Sequence, residues 1–264
     1  MKIGVTGIAG RMGKTIGNLV LQDSIAELKS GLVRAGSKFD GEDISQFFGF
    51  EKSGNKITAN IDEFVDVCDA IIDFSSPFLS LEIAKKCAEK KKVLVCGTTG
   101  FSESEKAEFA ENAKQTVIIW SSNMSVGVNL LMNLVEKVAA TLHDDFDIEI
   151  VEMHHRNKVD APSGTALSLG LAACVGRGVD IAKVGKTTRS GKEAKREKGE
   201  ISFAALRGGD VIGDHSVIFA GDGERVELTH KASNRDIFAK GAIRAAIWGS
   251  GRNKGFYSMR DVLN

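Results

Sequence analysis

One run of twelve residues holds the side chains best suited to chemistry. From His154 to Thr165 the chain reads HHRNKVDAPSGT, which places two imidazoles, a guanidinium and an amine within five positions. Buried cations are costly unless each has a partner, so this grouping predicts a site that binds an anion and transfers protons. A solvated strand end is the structural alternative, and the turn and helix start that follow argue against it.

The backbone around this run must bring its side chains together. A strand is predicted over 146–155, where the sequence reads FDIEIVEMHH. If the chain continued fully extended, His154 and Lys158 would lie about 13 Å apart. We therefore expect a bend after the strand, or two side chains that contact different parts of one ligand.

A helix is predicted to begin directly after the run. Pro162 and Ser163 favour a first helical turn, and leucines follow at 167, 169 and 171. Gly164 and Thr165 would then present backbone N–H groups at the positive end of the helix dipole, which suits a carboxylate or a phosphate. No third ligand at metal spacing lies nearby in the sequence, so no metal site is expected.

A second motif, a glycine-rich turn between a strand and a helix, lies near the N-terminus. After the apolar strand KIGVTG (2–7), glycines stand at 7, 10 and 13. In a dinucleotide-binding fold such glycines permit a tight turn, the close approach of a pyrophosphate, and close packing of helix on strand. The spacing is GxxGxxG rather than GxGxxG. We predict that the residues of this turn that bind a nicotinamide cofactor are Gly7, Ala9, Gly10, Arg11, Met12 and Gly13.

Cofactor preference depends on the end of the second strand. An NAD site usually has an acid there for the ribose hydroxyls, but this chain has Val33 and Arg34, with Lys38 nearby and no acid before Asp40. A cation favours the 2′-phosphate of NADPH, so we hypothesise a preference for NADPH through Arg34, or use of both NADPH and NADH. A surface arginine without such a role is the alternative.

Three further loops follow predicted parallel strands, at 74–77, 97–100 and 122–125. The carboxyl ends of such strands form the ligand edge of a doubly wound sheet. Small hydroxyl-bearing and glycine-rich loops suit contacts with ribose and the nicotinamide amide. The cofactor contacts predicted in these loops are Phe74, Gly97, Thr98, Thr99, Ser122, Asn123 and Met124.

The element pattern predicts two domains. Short apolar strands alternate with helical patterns up to about residue 123, which indicates an α/β, Rossmann-type parallel sheet covered on both faces. A final helix over 237–248 could return to this part. We predict a dinucleotide-binding domain formed by 1–125 plus 236–264.

The remaining residues, 126–235, are predicted to form an α+β substrate-binding and oligomerisation domain. A long helix is expected over 127–142, and a mostly antiparallel sheet is expected from β-like runs at 201–207, 211–221 and 225–232. The turn Gly221-Asp222-Gly223 would join the last two runs as a hairpin. The stretch from Lys183 to Lys198 has seven basic and two acidic residues, and we interpret it as a solvated loop, with a lid over an anionic ligand as the alternative.

Composition excludes several classes of protein. Thirty-five basic residues balance 35 acidic ones, so neither nucleic acid nor a membrane surface is expected as a partner. No signal-peptide pattern precedes the first strand, and no apolar run approaches the roughly 20 residues of a membrane span. The four cysteines, at 68, 87, 96 and 174, form no CxxC pair, which favours a reduced, cytoplasmic protein.

Taken together, these motifs resemble those of the dihydrodipicolinate reductase family, also called the 4-hydroxy-tetrahydrodipicolinate reductases. The resemblance covers nearly the whole chain, and its central motif is long and specific. The matching motifs are GxxGRMG at 7–13, GTTGF at 97–101, NMSVGVN at 123–129, EMHHRNKVDAPSGTA at 152–166, RGGDVIGDH at 207–215, THKASNR at 229–235 and MRDVL at 259–263.

The resemblance implies the reaction and the roles of the first motif. The family reduces 4-hydroxy-tetrahydrodipicolinate, by way of dihydrodipicolinate, to tetrahydrodipicolinate with NADPH or NADH, in lysine and diaminopimelate biosynthesis. It implies that His154 and Lys158 are catalytic, and either of them could supply a proton. It also implies that His155, Gly164 and Thr165 contact the carboxylates of a small dicarboxylate substrate.

The resemblance further implies a homotetramer built through the sheet of the second domain. Two departures from the family pattern bear on the choice of cofactor. Val33 stands where an acid is often found, and Ser76 stands where some members have an arginine.

Two other functions are kept as alternatives. One is a different two-domain nicotinamide reductase, specific for an imine or a sugar, although such families lack the HHxxKxDAPSGT run. The other is a nucleotide-sensing regulator without turnover. The cluster of catalytic side chains and the lack of a basic nucleic-acid-binding region count against it.

Overall fold

The computed structural model describes residues 1–192 and 194–264. The chain divides into two compact units. The first unit comprises Met1–Val126 and Arg235–Asn264, and the second comprises Gly127–Asn234.

The first stretch of the chain alternates strands and helices. Its elements are β1 (Lys2–Thr6), α1 (Arg11–Leu21), β2 (Glu27–Leu32), α2 (Ile44–Phe47), β3 (Ile57–Thr58), α3 (Ile61–Asp66), β4 (Ala70–Asp73), α4 (Pro77–Lys90), β5 (Val93–Cys96), α5 (Glu103–Asn112) and β6 (Val117–Trp120).

The second stretch is richer in long strands. Its elements are α6 (Val126–Leu142), β7 (Asp147–His154), α7 (Gly164–Arg177), α8 (Ile181–Val184), β8 (Gly185–Lys186), β9 (Ile201–Arg207), β10 (Gly213–Gly221) and β11 (Glu224–Ala232). The chain then ends with α9 (Asp236–Gly249), β12 (Gly255–Tyr257) and α10 (Met259–Leu263), which belong to the first unit.

The described strands of the first unit form one parallel sheet in the order β12-β6-β5-β4-β1-β2-β3. Every residue of β4 and β5 is buried, as expected for a sheet with helices on both faces. Apolar residues of α1 and α9, such as Ile16 and Ala242, pack in one core cluster. Phe64, Ile83 and Phe109 from α3, α4 and α5 pack in the other. The prediction of a Rossmann-type parallel sheet is confirmed.

The described strands of the second unit form a mixed sheet in the order β11-β10-β7-β9-β8. β10 runs antiparallel to both β11 and β7, and its two-residue connection to β11 confirms the predicted hairpin. β9, however, pairs in parallel with β7. The chain between them passes through α7, and a crossover that contains a helix returns the strand in the same direction. A mostly antiparallel sheet is confirmed, but the run at 201–207 is not one of its antiparallel strands.

The sheet of the second unit buries one face against α6 and α7. Alternate residues of β7 and β10, such as Ile148, Ile150 and Phe219, are fully buried there. The same alternation places Glu152 and His154 on the buried face of β7. An acid and an imidazole therefore continue a row of apolar side chains.

The basic stretch from Lys183 to Lys198 is mostly exposed over its described residues, which exclude 193, as a solvated segment should be, although it begins in α8 and contains β8. Arg196 pairs with Asp147 at 2.9 Å, and Arg189 pairs with Glu200 at 2.8 Å. Asp147 belongs to β7 and Glu200 directly precedes β9, so these two arginines tie the stretch to the second unit.

Candidate functional site

The candidate acid–base cluster lies on the buried face of β7, at the centre of the second sheet. Strand pairing places Arg207 of β9 opposite His154 and places His215 of β10 opposite Glu152. All four side chains belong to the second unit. The register of two neighbouring strands thus surrounds His154 with groups that the sequence analysis did not identify.

Glu152 is the centre of this cluster. It is 1% exposed, and Arg207 donates from Nη1 to both of its carboxylate oxygens at 3.0 Å. The backbone N–H of Ser163 donates to Oε1 at 3.3 Å, and Nδ1 of His154 is hydrogen-bonded to Oε2. The buried carboxylate is therefore balanced by one cation and has two further hydrogen-bond partners, as a buried acid requires.

His215 lies beside His154, on the neighbouring strand β10. The two rings are 5.1 Å apart and meet edge to face at 76°. Burial, aided by the nearby His154, lowers the pKa of His215 to about 3. The ring is neutral near pH 7, and its Nε2 is 3.1 Å from Oγ of Ser163.

The backbone bends after β7, which is one of the two arrangements expected from the sequence. The N–H of Lys158 donates to the carbonyl of His155 at 3.1 Å, and the N–H of Arg156 donates to the carbonyl of Gly209 at 3.2 Å. This turn folds Lys158 back towards the strand end. Its ammonium is 2.7 and 2.9 Å from the two carboxylate oxygens of Asp160.

Asp160 is a second partner that the sequence analysis did not assign. The hydrogen bond from Lys158 holds the pKa of Asp160 below its usual value. The backbone carbonyl of Asp160 also accepts a hydrogen bond from Arg207 at 2.6 Å. The turn with Lys158 is therefore tied to the same arginine that holds Glu152.

α7 begins where it was predicted, with Ser163 as its N-cap. The side chain of Ser163 accepts a hydrogen bond from the N–H of Ala166 at 3.2 Å, which stabilises the first turn. Gly164 and Thr165 are the first two helical residues. Their N–H groups point to the positive end of a 14-residue helix, where an anion is favoured.

The glycine turn of the first unit has the geometry of a phosphate cradle. Gly7 adopts φ +58°, and the N–H of Gly10 donates to its carbonyl at 2.8 Å. A Cβ at Gly13 would lie 2.2 Å from the carbonyl oxygen of Gly7, so only glycine permits this packing of α1. Gly10 caps α1 without a side-chain hydrogen bond, which leaves the helix N-terminus suited to a phosphate.

A cavity of about 880 Å³ adjoins this turn. Five of the cofactor contacts predicted from the sequence line this cavity: Gly7, Ala9, Gly10, Arg34 and Phe74. Ser37, Phe39, Phe78 and Glu82 also line it and were not identified from the sequence. Polar groups and aromatic rings in a cavity of this size are typical of a cofactor site.

A cavity of about 350 Å³ shares Phe74 with the larger one. The predicted contacts Arg11, Met12, Ser122, Asn123 and Met124 line it. It also receives Arg235 and Phe238, which the sequence analysis missed because they lie more than 100 positions away along the chain. Ten of the 14 predicted cofactor residues thus line two adjoining cavities of the first unit.

The other predicted cofactor residues help to build this edge of the sheet. A Cβ at Gly97 would lie 2.3 Å from the ring of Phe74, so glycine permits their packing. Thr98 is buried, with its hydroxyl 3.0 Å from the carboxylate of Asp73. Thr99, which follows it, is exposed.

Asp73 links the carboxyl ends of β1, β4 and β5 and was not identified from the sequence. It is fully buried at the carboxyl end of β4. Its carboxylate accepts hydrogen bonds from the hydroxyl groups of Thr6, Ser75, Ser80 and Thr98. Sγ of Cys96 lies 3.4 Å from the same carboxylate. The only sequence signal was an acid at the end of the buried strand AIID.

Family comparisons cover both units. The profile described as dihydrodipicolinate reductase, N-terminus, matches residues 1–124, and the profile described as dihydrodipicolinate reductase, C-terminus, matches residues 127–263. The chain belongs to the dihydrodipicolinate reductase family.

Relatives within the dihydrodipicolinate reductase family match over their full length. A 4-hydroxy-tetrahydrodipicolinate reductase from Bartonella tribocorum is 51% identical over 264 residues, which cover 100% of this chain and 98% of that protein. One from Methylocella silvestris is 49% identical over 263 residues, covering 100% and 97%. These relatives carry the same family name across both units.

Among solved structures, a dipicolinate-bound dihydrodipicolinate reductase from Paenisporosarcina sp. TG-14 is similar in fold. Its TM-score is 0.79 at 24% sequence identity, and the alignment covers 100% of this chain and 99% of that one. An amine dehydrogenase from Mycobacterium smegmatis is also similar, with a TM-score of 0.63 at 11% identity over 98% and 95% of the chains. Both likenesses concern the fold.

No helix in residues 1–192 and 194–264 has the length and apolarity needed to cross a membrane. Within the same residues, no group of three or more His, Cys, Asp or Glu side chains is arranged to hold a metal ion.

Proposed function

We propose that this protein reduces 4-hydroxy-tetrahydrodipicolinate, by way of dihydrodipicolinate, to tetrahydrodipicolinate with NADPH or NADH, in lysine and diaminopimelate biosynthesis. The observation that carries the proposal is the group formed by His154, Lys158 and the start of α7, in a chain of this family. This group combines proton donors with an anion-binding helix N-terminus within the run 154–165.

The first unit fits a nicotinamide dinucleotide. The glycine turn and the N-terminus of α1 would hold the pyrophosphate, and the two cavities that meet at Phe74 would hold its two halves. When bound, the reduced nicotinamide supplies a hydride. The exposed Arg34 at the larger cavity supports a preference for NADPH, since its charge suits a 2′-phosphate.

The second unit fits a small dicarboxylate. The N–H groups of Gly164 and Thr165 would bind one carboxylate at the helix N-terminus. His155 and Lys158, which a backbone hydrogen bond joins in one turn, would offset the negative charge of the substrate. The Lys158 ammonium already contacts Asp160, so a substrate carboxylate would share or replace that partner.

Reduction also requires a proton at the substrate ring. The hydroxyl of the substrate leaves as water, and the conjugated system that results accepts a hydride at one end and a proton at the other. Lys158 is the proposed proton donor, and His154 would tune this transfer or relay the proton. A general acid acts at hydrogen-bond distance from the reacting atom. Asp160 keeps the ammonium of Lys158 in place.

We further propose a cytoplasmic homotetramer that forms through the sheet of the second unit. The face of this sheet opposite α6 and α7 carries the apolar side chains of Val151, Met153 and Ile218, and Leu206 is 51% exposed. Apolar residues on an open sheet face favour association. The four cysteines, all within the described residues, are buried and unpaired, which supports a reducing compartment.

The absorbance of NADPH at 340 nm tests the proposed reaction. Protein and NADPH are mixed with the freshly formed condensation product of pyruvate and aspartate semialdehyde, and we expect a decrease that depends on both protein and this product. A constant absorbance, at protein concentrations that bind NADPH, would rule out the reaction. Oxidation of NADPH with an imine or a sugar instead would favour the alternative reductases.

A further inference from the structure

One nitrogen of His154 is bound by a carboxylate to which the proposed reaction gives no direct role. Glu152 precedes His154 by two residues on β7, so the two side chains share one face of the strand. Oε2 of Glu152 is hydrogen-bonded to Nδ1 of His154, and the imidazole is 7% exposed. A buried imidazole held at one nitrogen cannot rotate without breaking that bond.

The other partners of Glu152 determine which group donates. Arg207 and the N–H of Ser163 can only donate, and they contact both carboxylate oxygens. A carboxylate that accepts these bonds beside a guanidinium is favoured in its ionised form. An ionised carboxylate only accepts, so Nδ1 of His154 must be the donor.

The opposite nitrogen of His154 faces the backbone of Gly213. A Cβ at this position would lie 3.0 Å from Nε2, tighter than most Cβ contacts, so a larger residue would crowd this nitrogen. Nδ1, by contrast, is committed to Glu152. Of the two ring nitrogens, Nε2 is the one able to exchange a proton with a ligand.

We propose that Glu152, held by Arg207 and Ser163, is a positioning residue that fixes Nδ1–H of His154 and presents Nε2 for proton transfer. The proposal rests on the proposed role of His154 in the reaction. Glu152 contacts neither substrate nor cofactor in this scheme, and it acts only through the imidazole. Its negative charge also stabilises the imidazolium form.

The charged and titratable groups around His154 allow the direction of a pH effect to be derived. They are Glu152 on β7, Arg207 on β9, His215 on β10, and Lys158 and Asp160 in the turn. Of these, Glu152 is the acid in direct contact. If its charge is removed, the cation of Arg207 remains unbalanced beside the ring, and both changes disfavour the imidazolium.

Steady-state kinetics as a function of pH provide the first test. In Glu152→Gln we expect kcat to fall about 10- to 100-fold, and the alkaline limb of the kcat profile to move to lower pH by about one to three units. KM for NADPH should not change. Glu152→Asp, which keeps the charge, should restore the position of the alkaline limb.

Glu149→Gln is the matched control. Glu149 lies on the same strand and also pairs with arginine, but it points to the opposite face. It should keep the wild-type profile. An unshifted profile in Glu152→Gln would overturn the proposal, whereas a wild-type protein that does not oxidise NADPH with this substrate would refute the proposed function instead.

Nitrogen-15 NMR of the imidazoles tests the geometry without activity, even if Glu152→Gln does not fold. His154→Gln identifies the signals of His154 among the five histidines. In the wild type we expect Nδ1 to keep its proton in the neutral ring, and Nε2 to be the nitrogen that loses one. A neutral ring with its proton on Nε2 would overturn the proposal.

Discussion

At the scale of single residues, the site is a set of cations that each have a carboxylate partner. Lys158 binds Asp160, and Arg207 binds Glu152. Such pairs offset the cost of holding charge away from water. They also hold these two cations in place beside the proposed substrate site.

Lys158→Ala removes the proposed proton donor. We expect kcat to fall by about 10²- to 10⁴-fold, while the affinity for NADPH is retained because Lys158 lies in the second unit. Steady-state kinetics and a fluorescence titration with NADPH measure the two quantities. The control is Lys137→Ala, at an exposed position of α6. Wild-type turnover in Lys158→Ala would exclude this role.

His215 makes stability depend on pH. Because burial and His154 lower its pKa to about 3, unfolding exposes a histidine that binds a proton from about pH 6.5 downwards. The unfolded state then binds more protons, so the free energy of unfolding falls as pH decreases from about 6.5 towards 3, by up to about 1.4 kcal/mol per unit. His215→Gln should remove this part of the decrease in urea titrations.

The comparison for His215 is His143→Asn, which removes an exposed histidine. We expect its pH dependence to follow that of the wild type. Equal slopes for the wild type and His215→Gln over this range would show that the buried ring does not contribute.

Arg34→Ala tests the preference for NADPH. Loss of a charge-assisted contact to a 2′-phosphate should lower kcat/KM for NADPH by about 10-fold or more and leave the value for NADH unchanged. Lys52→Ala serves as the control, since Lys52 is exposed and lines neither cavity. An equal loss with both cofactors would contradict the assignment.

At the scale of elements, the carboxyl ends of parallel strands are held together by one buried acid. Asp73 at the end of β4 accepts hydrogen bonds from three hydroxyl groups. They belong to the residue that ends β1, to α4 and to the loop after β5. These elements carry the glycine turn and the loops around Phe74 and Gly97. The carboxylate therefore aligns separate loops that would contact one cofactor.

Asp73→Asn should loosen this alignment. An amide accepts fewer hydrogen bonds than a carboxylate, so we expect the free energy of unfolding to fall by about 1–3 kcal/mol and KM for NADPH to rise more than kcat falls. Urea unfolding and kinetics measure both. Asp69→Asn, at the opposite end of β4, is the control, since Asp69 is exposed and accepts only the N–H of Lys2 in the described contacts. Unchanged KM in a folded Asp73→Asn would contradict this role.

At the scale of the whole molecule, the described part of the second unit presents apolar side chains on its sheet and on its helices. The sheet face that includes Ile218 is one such surface, and the outer side of α7, where Leu171 is 50% exposed, is another. The proposed tetramer uses the sheet, because a sheet face offers a broad and regular surface whereas the helix offers a narrow stripe.

Ile218→Glu should prevent assembly of the tetramer. A carboxylate buried at an interface without a partner costs several kcal/mol, so light scattering after size-exclusion chromatography should report smaller species at micromolar concentration. Leu171→Glu should remain tetrameric. If Leu171→Glu dissociates and Ile218→Glu does not, the helix face is the interface.

Much of the fold and part of the site could be predicted from local patterns. Three features depend only on residues that are neighbours in the chain, so their conformational preferences can be recognised in a short segment. They are the glycine turn at 7–13, the strand and helix that flank residues 154–165, and the hairpin at 222–223. The same holds for the parallel sheet of the first unit, since buried strands alternate with helices.

The sequence by itself thus determined which residues are chemically able to act, because they lie together in one contiguous run. Only the tertiary structure decided their partners. Arg207 is 55 positions from Glu152, His215 is 52 from Ser163, and Thr6 is 67 from Asp73. Such contacts depend on which strands pair and in what register, as the parallel pairing of β7 with β9 illustrates. A register shift of one residue would turn Arg207 to the opposite face, and no local pattern records that choice.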